Sequence, residues 1–256
     1  MSTVTLPCWH WGDAHAPRRA LLVHGLGSSA QTTWRLSEGL AELGGSATAV
    51  DLRGHGDAPR ASRYRIDDIA GDLLATLPDG GGSWDLVVGH SIGAAASLQA
   101  AGTEPEWTRQ LVLLDPAIVV DEAQRQIVLA GQLANFDGAT VASIAEQFPH
   151  WHPIDVEFRV RAVKSASRFA LERMVLDNDD WDVTAFVPHV TARTLVIAAD
   201  PENGAMFAGE LASSVLAMNA LFEQVVVAGA GHSLHRDAPE ATLQHLRDWL
   251  RAAETP

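Results

Sequence analysis

Short apolar runs alternate with amphipathic stretches along most of this chain. The runs occupy residues 20–23, 47–50, 86–88, 111–114, 195–198 and 224–227, and each meets Gly, Asp or His at or soon after its end. Almost continuous apolar strands are typical of a parallel sheet that is covered on both faces. The pattern therefore predicts six buried strands.

The segments between these runs have helical periodicity. The five clearest cover residues 34–43, 66–77, 92–101, 206–221 and 239–252. In the second, apolar residues recur every three or four positions and form one stripe. Alternating strands and helices predict an α/β fold with a mostly parallel, doubly wound sheet and right-handed crossovers.

One long stretch breaks the alternation. Between Pro116 and Thr194 the sequence contains short amphipathic segments and no convincing strand. An insertion of this length is too long for a plain crossover. We predict a core formed by residues 1–116 and 190–256, with residues 117–189 forming a helical cap, or lid, over the carboxyl edge of the sheet.

Composition narrows the classes of function. The formal net charge of −14 argues against binding to nucleic acid or to an anionic membrane surface. A single cysteine, Cys8, cannot form an internal disulfide, and the first residues lack the pattern of a signal peptide. We expect a cytoplasmic monomer or homodimer that acts on a small molecule.

The strongest chemical signal is the sequence Gly-His-Ser-Ile-Gly at residues 89–93. It matches G-x-S-x-G and lies between a predicted strand and a predicted helix, where this motif exposes a nucleophilic serine. Ser91 is therefore the predicted nucleophile.

A serine hydroxyl needs a base to take its proton, and the base needs a carboxylate to orient it. His232 follows the last predicted strand and is the predicted base, whereas we expect His235 to be a surface or helix-cap histidine. Asp200 follows the strand at 195–198 and is the preferred acid, because Ser91, Asp200 and His232 then occur in the expected chain order. Asp115 and Glu202 are the alternative acids.

An oxyanion needs backbone N–H donors. The amide of Ile92, directly after the nucleophile, is one candidate. The amide of Leu26, in the glycine-containing loop that follows the first predicted strand, is the other. A phosphate-binding loop is disfavoured there because no lysine follows the glycines.

Four motifs in order resemble those of the α/β-hydrolase superfamily: HGLGSS at 24–29, DLRGHG at 51–56, GHSIG at 89–93 and GAGHSLH at 229–235. They look most like the small esterase, lactonase and haloperoxidase-like branch with a helical cap. The resemblance implies an eight-stranded sheet with the cap after the sixth strand, no cofactor and a structural role for residues 51–56. The N-terminal hairpin looks shortened. A serine at position 91 disfavours dehalogenase and epoxide hydrolase activity.

The predicted cap is rich in aromatic residues and would select the substrate. Trp151, Phe136 and Leu26 are the predicted pocket residues, and the basic group Arg159, Arg161, Lys164 and Arg168 is expected on the solvated face, though one member could hold a substrate carboxylate. His150 and His152 lack a third placed ligand, and residues 177–180 lack the glycine and glutamate of a calcium loop, so no metal is predicted.

These observations predict a serine hydrolase that cleaves a small to medium, largely apolar carboxylic ester or lactone through an acyl-enzyme. Hydrolysis of a C–C or amide bond, perhydrolysis, lyase chemistry and a weakly catalytic ligand receptor remain alternatives, because the three residues alone do not separate them.

Overall fold

Within residues 3–252, seven strands form one sheet in the order β1-β3-β2-β4-β5-β6-β7. The structure is a computed structural model and describes residues 3–252. The strands are β1 Cys8–Gly12, β2 Arg19–Val23, β3 Ser46–Val50, β4 Leu86–His90, β5 Gln110–Leu114, β6 Arg193–Ala198 and β7 Phe222–Val226. Only β1 runs antiparallel, to β3; the other neighbouring pairs are parallel. The mostly parallel, doubly wound α/β fold is confirmed.

The six predicted apolar runs correspond in order to β2–β7. The expected count of eight strands is wrong for the described residues, because the N-terminal segment contributes the single strand β1 instead of a hairpin. The helical insertion consequently follows the fifth strand, not the sixth.

Ten α-helices are present in the described residues. They are α1 Trp34–Glu42, α2 Ile66–Ala75, α3 Ile92–Thr103, α4 Glu122–Gly138, α5 Val141–Gln147, α6 Pro153–Ser165, α7 Arg168–Leu176, α8 Gly209–Met218, α9 Leu234–Asp237 and α10 Pro239–Ala252. The helix predicted over 206–221 is shorter at both ends. At its start, the amides of Met206 and Phe207 bond to a buried carboxylate.

Side chains alternate between two cores along the central strands. Leu21 and Val87 belong to a hydrophobic cluster that includes α2 and α3, whereas Leu22 and Val88 belong to the opposite cluster with α1 and α10. Both faces of the sheet are therefore covered, which explains why these strands are apolar at successive positions.

Four helices, α4–α7, connect β5 to β6. A capping box at Asp121 starts α4, while the His152 side chain accepts from the Ile154 amide and Pro153 occupies the first turn of α6. An isolated antiparallel bridge between Val119 and Asp182 closes the base of the insertion. The division into a core of 1–116 and 190–256 and a cap of 117–189 remains a prediction. No helix within residues 3–252 is long and apolar enough to cross a bilayer.

Candidate active site

Ser91 occupies a sharp turn between β4 and α3. Its backbone has φ 55° and ψ −120°, a conformation that side chains rarely adopt and that costs about 1–3 kcal/mol. A Cβ atom on Gly89 would lie 2.7 Å from the Cα of Ala94, and one on Gly93 would lie 2.3 Å from the carbonyl oxygen of His24. The two motif glycines are therefore required by close backbone approach at this turn.

His232 lies in the loop after β7, and its ring is held by a carboxylate from another strand. Nδ1 of His232 is 2.6 Å from Oδ2 of Asp115, and Asp115 is fully buried at the end of β5. A donating Nδ1–H leaves Nε2 as the acceptor of the neutral ring. This is the tautomer that a general base requires.

Three backbone amides fix the Asp115 carboxylate. Its Oδ2 accepts from the amide of Met206 at 2.9 Å, and its Oδ1 accepts from those of Phe207 at 3.2 Å and Ala199 at 3.3 Å. Asp115 itself has φ 37°. A buried carboxylate with these donors has little freedom to turn away from His232.

The prediction of Asp200 as the carboxylate beside His232 is wrong. Asp200 accepts instead from the amides of Gly229 at 2.7 Å and Glu202 at 2.9 Å, and these bonds, the Gly229 bond foremost, lower the pKa of the Asp200 carboxyl. It ties the loop after β6 to the loop that carries His232. Glu202 is exposed and does not bond to His232 either. Since Asp115 and Asp200 both follow strands, the chain pattern alone could not choose between them.

The expectation of a surface position for His235 is also wrong. His235 is 3% exposed, and neither ring nitrogen has a hydrogen-bond partner within residues 3–252. Its ring centroid lies 4.9 Å from that of His90, edge to face. His90 in turn donates from Nε2 to the carbonyl of His232 at 2.9 Å, so His90 helps to place the loop that carries the candidate base.

Ser91 and His232 line the same cavity, which has a volume of about 250 Å³. Of the predicted pocket residues, Leu26 and Trp151 line it, as does Ile92. Phe136 does not; it packs against the hydrophobic clusters, with the Arg168 guanidinium 5.9 Å from its ring centroid. The prediction of Phe136 as a pocket residue is therefore not supported by its position.

Trp151 is anchored at the cavity wall. Its ring stacks on Phe148 at 4.0 Å, and its Nε1–H donates to Oδ1 of Asp237 at 2.6 Å. Asp237 belongs to α9, next to the His232 loop. This hydrogen bond links the helical insertion to the loop that carries the candidate base.

The loop after β2 lies directly against Ser91. A Cβ atom on Gly25 would be 2.7 Å from Nδ1 of His90 and 3.1 Å from the Cβ of Ser91, so a larger residue at position 25 would displace its neighbours. The amide of Ile92 has no intrahelical acceptor because it opens α3. Both candidate oxyanion donors, Ile92 and Leu26, thus belong to residues that border the cavity.

Two buried histidines hold this loop to the 51–56 loop. Nε2 of His24 accepts from the amide of Leu52, and Nε2 of His55 accepts from that of Gly27, both at 3.0 Å. Burial lowers the pKa of His24 to about 4 and that of His55 to about 3, the nearby His24 adding to the effect on His55. The two rings are therefore neutral at pH 7 and bond as acceptors.

We expect stability to fall as the pH drops below about 6.5. The unfolded histidines bind protons near pH 6.5, whereas His24 and His55 in the folded protein bind them only near pH 4 and 3. Between these values each buried histidine removes about 1.4 kcal/mol of unfolding free energy per pH unit. Urea unfolding at pH 7.5, 6.5, 5.5 and 5.0 measures the slope.

The variant His55→Gln is expected to reduce that slope, because glutamine can accept from the Gly27 amide without titrating. The same change at His10, which is exposed, is the matched control and should leave the slope unchanged. Equal slopes in wild type and His55→Gln would show that His55 is not held neutral in the folded state.

The motifs considered for metal binding have other contacts. His150 Nε2 lies 3.2 Å from Oδ1 of Asp237, whereas His152 caps α6. Asp177 and Asn178 accept from the amides of Tyr64 and Ile66 at the start of α2. No group of three potential metal ligands occurs within the described part of the chain.

The four members of the predicted basic group in the insertion differ in exposure. Arg161, Lys164 and Arg168 are exposed, as predicted. Arg159 is 8% exposed and lines the cavity, so its expected place on the solvated face is wrong. Arg236, which the sequence did not single out, also lines the cavity. Arg236 lies four residues after His232, and this short separation is the feature of the sequence that could have indicated its place at the cavity.

The chain is similar in sequence to known proteins. Lipase LipV of Mycobacterium tuberculosis is 36% identical over 121 residues, which are 47% of this chain and 46% of that relative, about half its length. The 2-(acetamidomethylene)succinate hydrolase of Mesorhizobium japonicum is 26% identical over 224 residues, covering 80% of this chain and 78% of the relative.

Solved structures share the fold. An E-2-(acetamidomethylene)succinate hydrolase superposes with a TM-score of 0.81 at 23% identity, covering 97% of this chain and 96% of the other. A malate-bound thermophilic esterase from Thermogutta terrifontis gives 0.78 at 21% identity, covering 98% and 95%. A model of the Alpha/beta hydrolase family matches residues 20–245. The chain therefore belongs to the alpha/beta hydrolase family.

Proposed function

We propose that this protein is a serine hydrolase that cleaves a small carboxylic ester or lactone through an acyl-enzyme. The observation that carries the proposal is the hydrogen bond between His232 and the buried Asp115, at the same cavity as Ser91. A histidine oriented in this way beside a serine at a strand–helix turn is the arrangement that activates a hydroxyl nucleophile.

In the first half of the reaction, Nε2 of His232 takes the proton of the Ser91 hydroxyl. The Ser91 oxygen attacks the carbonyl carbon, and the amides of Ile92 and Leu26 bind the oxyanion. Asp115 stabilises the His232 cation. The carbon–oxygen bond of the ester then breaks, and the alcohol oxygen leaves with the proton from Nε2.

In the second half, His232 takes a proton from water, and the resulting hydroxide attacks the acyl carbonyl. Collapse of this second oxyanion releases the acid and returns the proton to Ser91. With a lactone the leaving alcohol stays joined to the acyl group, so one hydroxy acid is released. Ester and water are consumed, and acid and alcohol are formed.

Turnover of p-nitrophenyl acetate, butyrate and octanoate tests the proposal. We expect multiple turnovers, and we expect the octanoate to be the poorest substrate, because a cavity of about 250 Å³ is at the small end for ligand sites. At most one turnover with every ester would contradict ester hydrolysis. Single acylation would instead favour a ligand receptor, and no acylation would favour a lyase.

A further inference from the structure

Two buried arginines border the cavity beside Ser91. Arg159 is 8% exposed and Arg236 is 4% exposed. No aspartate or glutamate within residues 3–252 lines this cavity, although the full sequence has 32 acidic residues against 18 basic ones. The charge of the cavity lining is thus opposite in sign to that of the whole protein.

Arg159 uses a small part of its hydrogen-bonding capacity within the protein. It lies on α6, and its Nη1 donates to the carbonyl of Gly27 at 2.5 Å, in the loop that also holds Leu26. No carboxylate within residues 3–252 forms an ion pair with it. A guanidinium has five N–H donors, so donors remain for a ligand in the cavity.

Within residues 3–252, Arg236 also has guanidinium donors without a hydrogen-bond partner. Its Nε and Nη1 are buried without a hydrogen-bond partner in the described chain, and its Nη2 donates to Oγ of Ser233 at 3.3 Å. The guanidinium carbon lies 4.7 Å from the ring centroid of Trp151. An unpaired buried donor of a charged group is costly, and an anion bound beside the Arg236 guanidinium would offset part of that cost.

The two carboxylates whose charge acts on Arg236 are bonded elsewhere. Asp155 accepts from Nε1 of Trp34 at 2.7 Å and from Nε of Arg35 at 3.1 Å. Asp237 accepts from Nε1 of Trp151 and, at 3.0 Å, from the amide of Ser233. Both still act on Arg236 through their charge and favour its charged form.

Burial is the main cause that lowers the pKa of Arg159 to about 9 and that of Arg236 to about 10; the charge of Arg236 lowers the value for Arg159 further. Both side chains therefore remain cations at pH 7. Two like charges in a poorly solvated site are stabilised by an anion that bonds to both.

We propose that the substrate is a small ester that carries a free carboxylate, held by Arg159 and Arg236 while Ser91 attacks the ester carbonyl. This inference rests on the proposed function and defines its substrate class. It replaces the largely apolar substrate expected from the aromatic residues of the insertion. Guanidinium groups bind carboxylates through paired, charge-assisted hydrogen bonds, and both guanidinium-bearing residues line the cavity that contains Ser91.

Matched pairs of esters test the charge preference. Ethyl hydrogen succinate and its neutral amide, ethyl succinamate, place the carboxylate or its isostere on the acyl side. Acetoxyacetic acid and acetoxyacetamide place it on the alcohol side. We expect kcat/KM of the wild type to be about 10- to 100-fold higher for the anionic member of at least one pair. The pair that shows this preference identifies whether the carboxylate belongs to the acyl side or to the alcohol side of the substrate.

Substitution of each arginine should remove that preference. Arg159→Gln and Arg236→Gln are expected to lower the ratio of kcat/KM for the anionic ester to kcat/KM for its neutral partner by about 10- to 100-fold, whatever each variant does to the neutral ester alone. Arg161→Gln is the matched control, since Arg161 is on the same helix but exposed. If a glutamine variant fails to fold, Arg159→Lys and Arg236→Lys keep a charge without the guanidinium fork.

Inhibition of the wild type provides a readout without any variant. Succinate should compete with a neutral ester substrate, and succinamide should not. Equal kcat/KM within both ester pairs, together with equal inhibition by succinate and succinamide, would overturn the proposal. If the wild type still hydrolyses neutral esters, and Ser91→Ala does not, the proposed function stands without the carboxylate preference. If the wild type hydrolyses none of the esters, both the proposed function and the carboxylate preference are overturned.

Discussion

Asp115→Asn is expected to lower kcat for a p-nitrophenyl ester by about 10⁴-fold. The Asp115 carboxylate accepts from Nδ1 of His232 at 2.6 Å, so it selects the tautomer that leaves Nε2 free to take a proton. An asparagine at this buried position can present an N–H to Nδ1, which favours the opposite tautomer. The His232 cation would also lose its counter-charge.

Asp200→Asn is the matched control for this substitution. It makes the same chemical change at a carboxylate that also follows a strand, but Asp200 bonds to the amides of Gly229 and Glu202 instead of to His232. We expect a change in kcat of less than about tenfold, which corresponds to about 1.4 kcal/mol. Steady-state kinetics of both variants, with circular dichroism to verify folding, makes the comparison. A 10⁴-fold loss in Asp200→Asn and not in Asp115→Asn would reverse the assignment.

Ser91→Ala is expected to reduce kcat by about 10⁶-fold, because the proposed acyl intermediate forms on the hydroxyl that this change removes. The fold should persist, since the substitution removes one hydroxyl. The Cβ atom remains, and with it the cost of φ 55°. Ester turnover and urea unfolding of the same preparation measure the two effects.

Ser91→Gly separates activity from backbone strain. Glycine adopts positive φ without steric cost, so this variant should be as inactive as Ser91→Ala but more stable by about 1 kcal/mol. Equal stability of the two variants would show that the turn at Ser91 is not strained. Residual turnover near the wild-type rate in either variant would show that Ser91 is not the nucleophile.

The fold could be predicted from the sequence because its signals are local. Strands β2–β7 form from short apolar runs, and the turn at Ser91 requires the glycines beside it. Both signals come from residues that are close together in the sequence. The same holds for His232, which lies in a glycine-flanked loop after the last strand. The strand count differed because the number eight came from the resemblance to the family, whereas the N-terminal segment of this chain forms the single strand β1.

The acid and the arginines could not be predicted in the same way. Whether Asp115 or Asp200 contacts His232 depends on how the loops after β5, β6 and β7 approach one another, which involves residues far apart in the sequence. Arg159 and Arg161 are two positions apart on α6, yet one is buried and the other exposed. Arg159 is buried because the loop after β2, which contains Gly27, packs against its side of α6.

The most direct test of the chemistry is to look for the acyl group itself. The wild type would be mixed with p-nitrophenyl butyrate, quenched in acid within milliseconds and digested, and the peptide that contains Ser91 would be analysed by mass spectrometry. We expect one butyryl group on Ser91, formed at the rate of the p-nitrophenol burst and missing in Ser91→Ala. Steady release of p-nitrophenol with no acylated Ser91 at any time, or a butyryl group on another residue, would contradict an acyl-enzyme at Ser91.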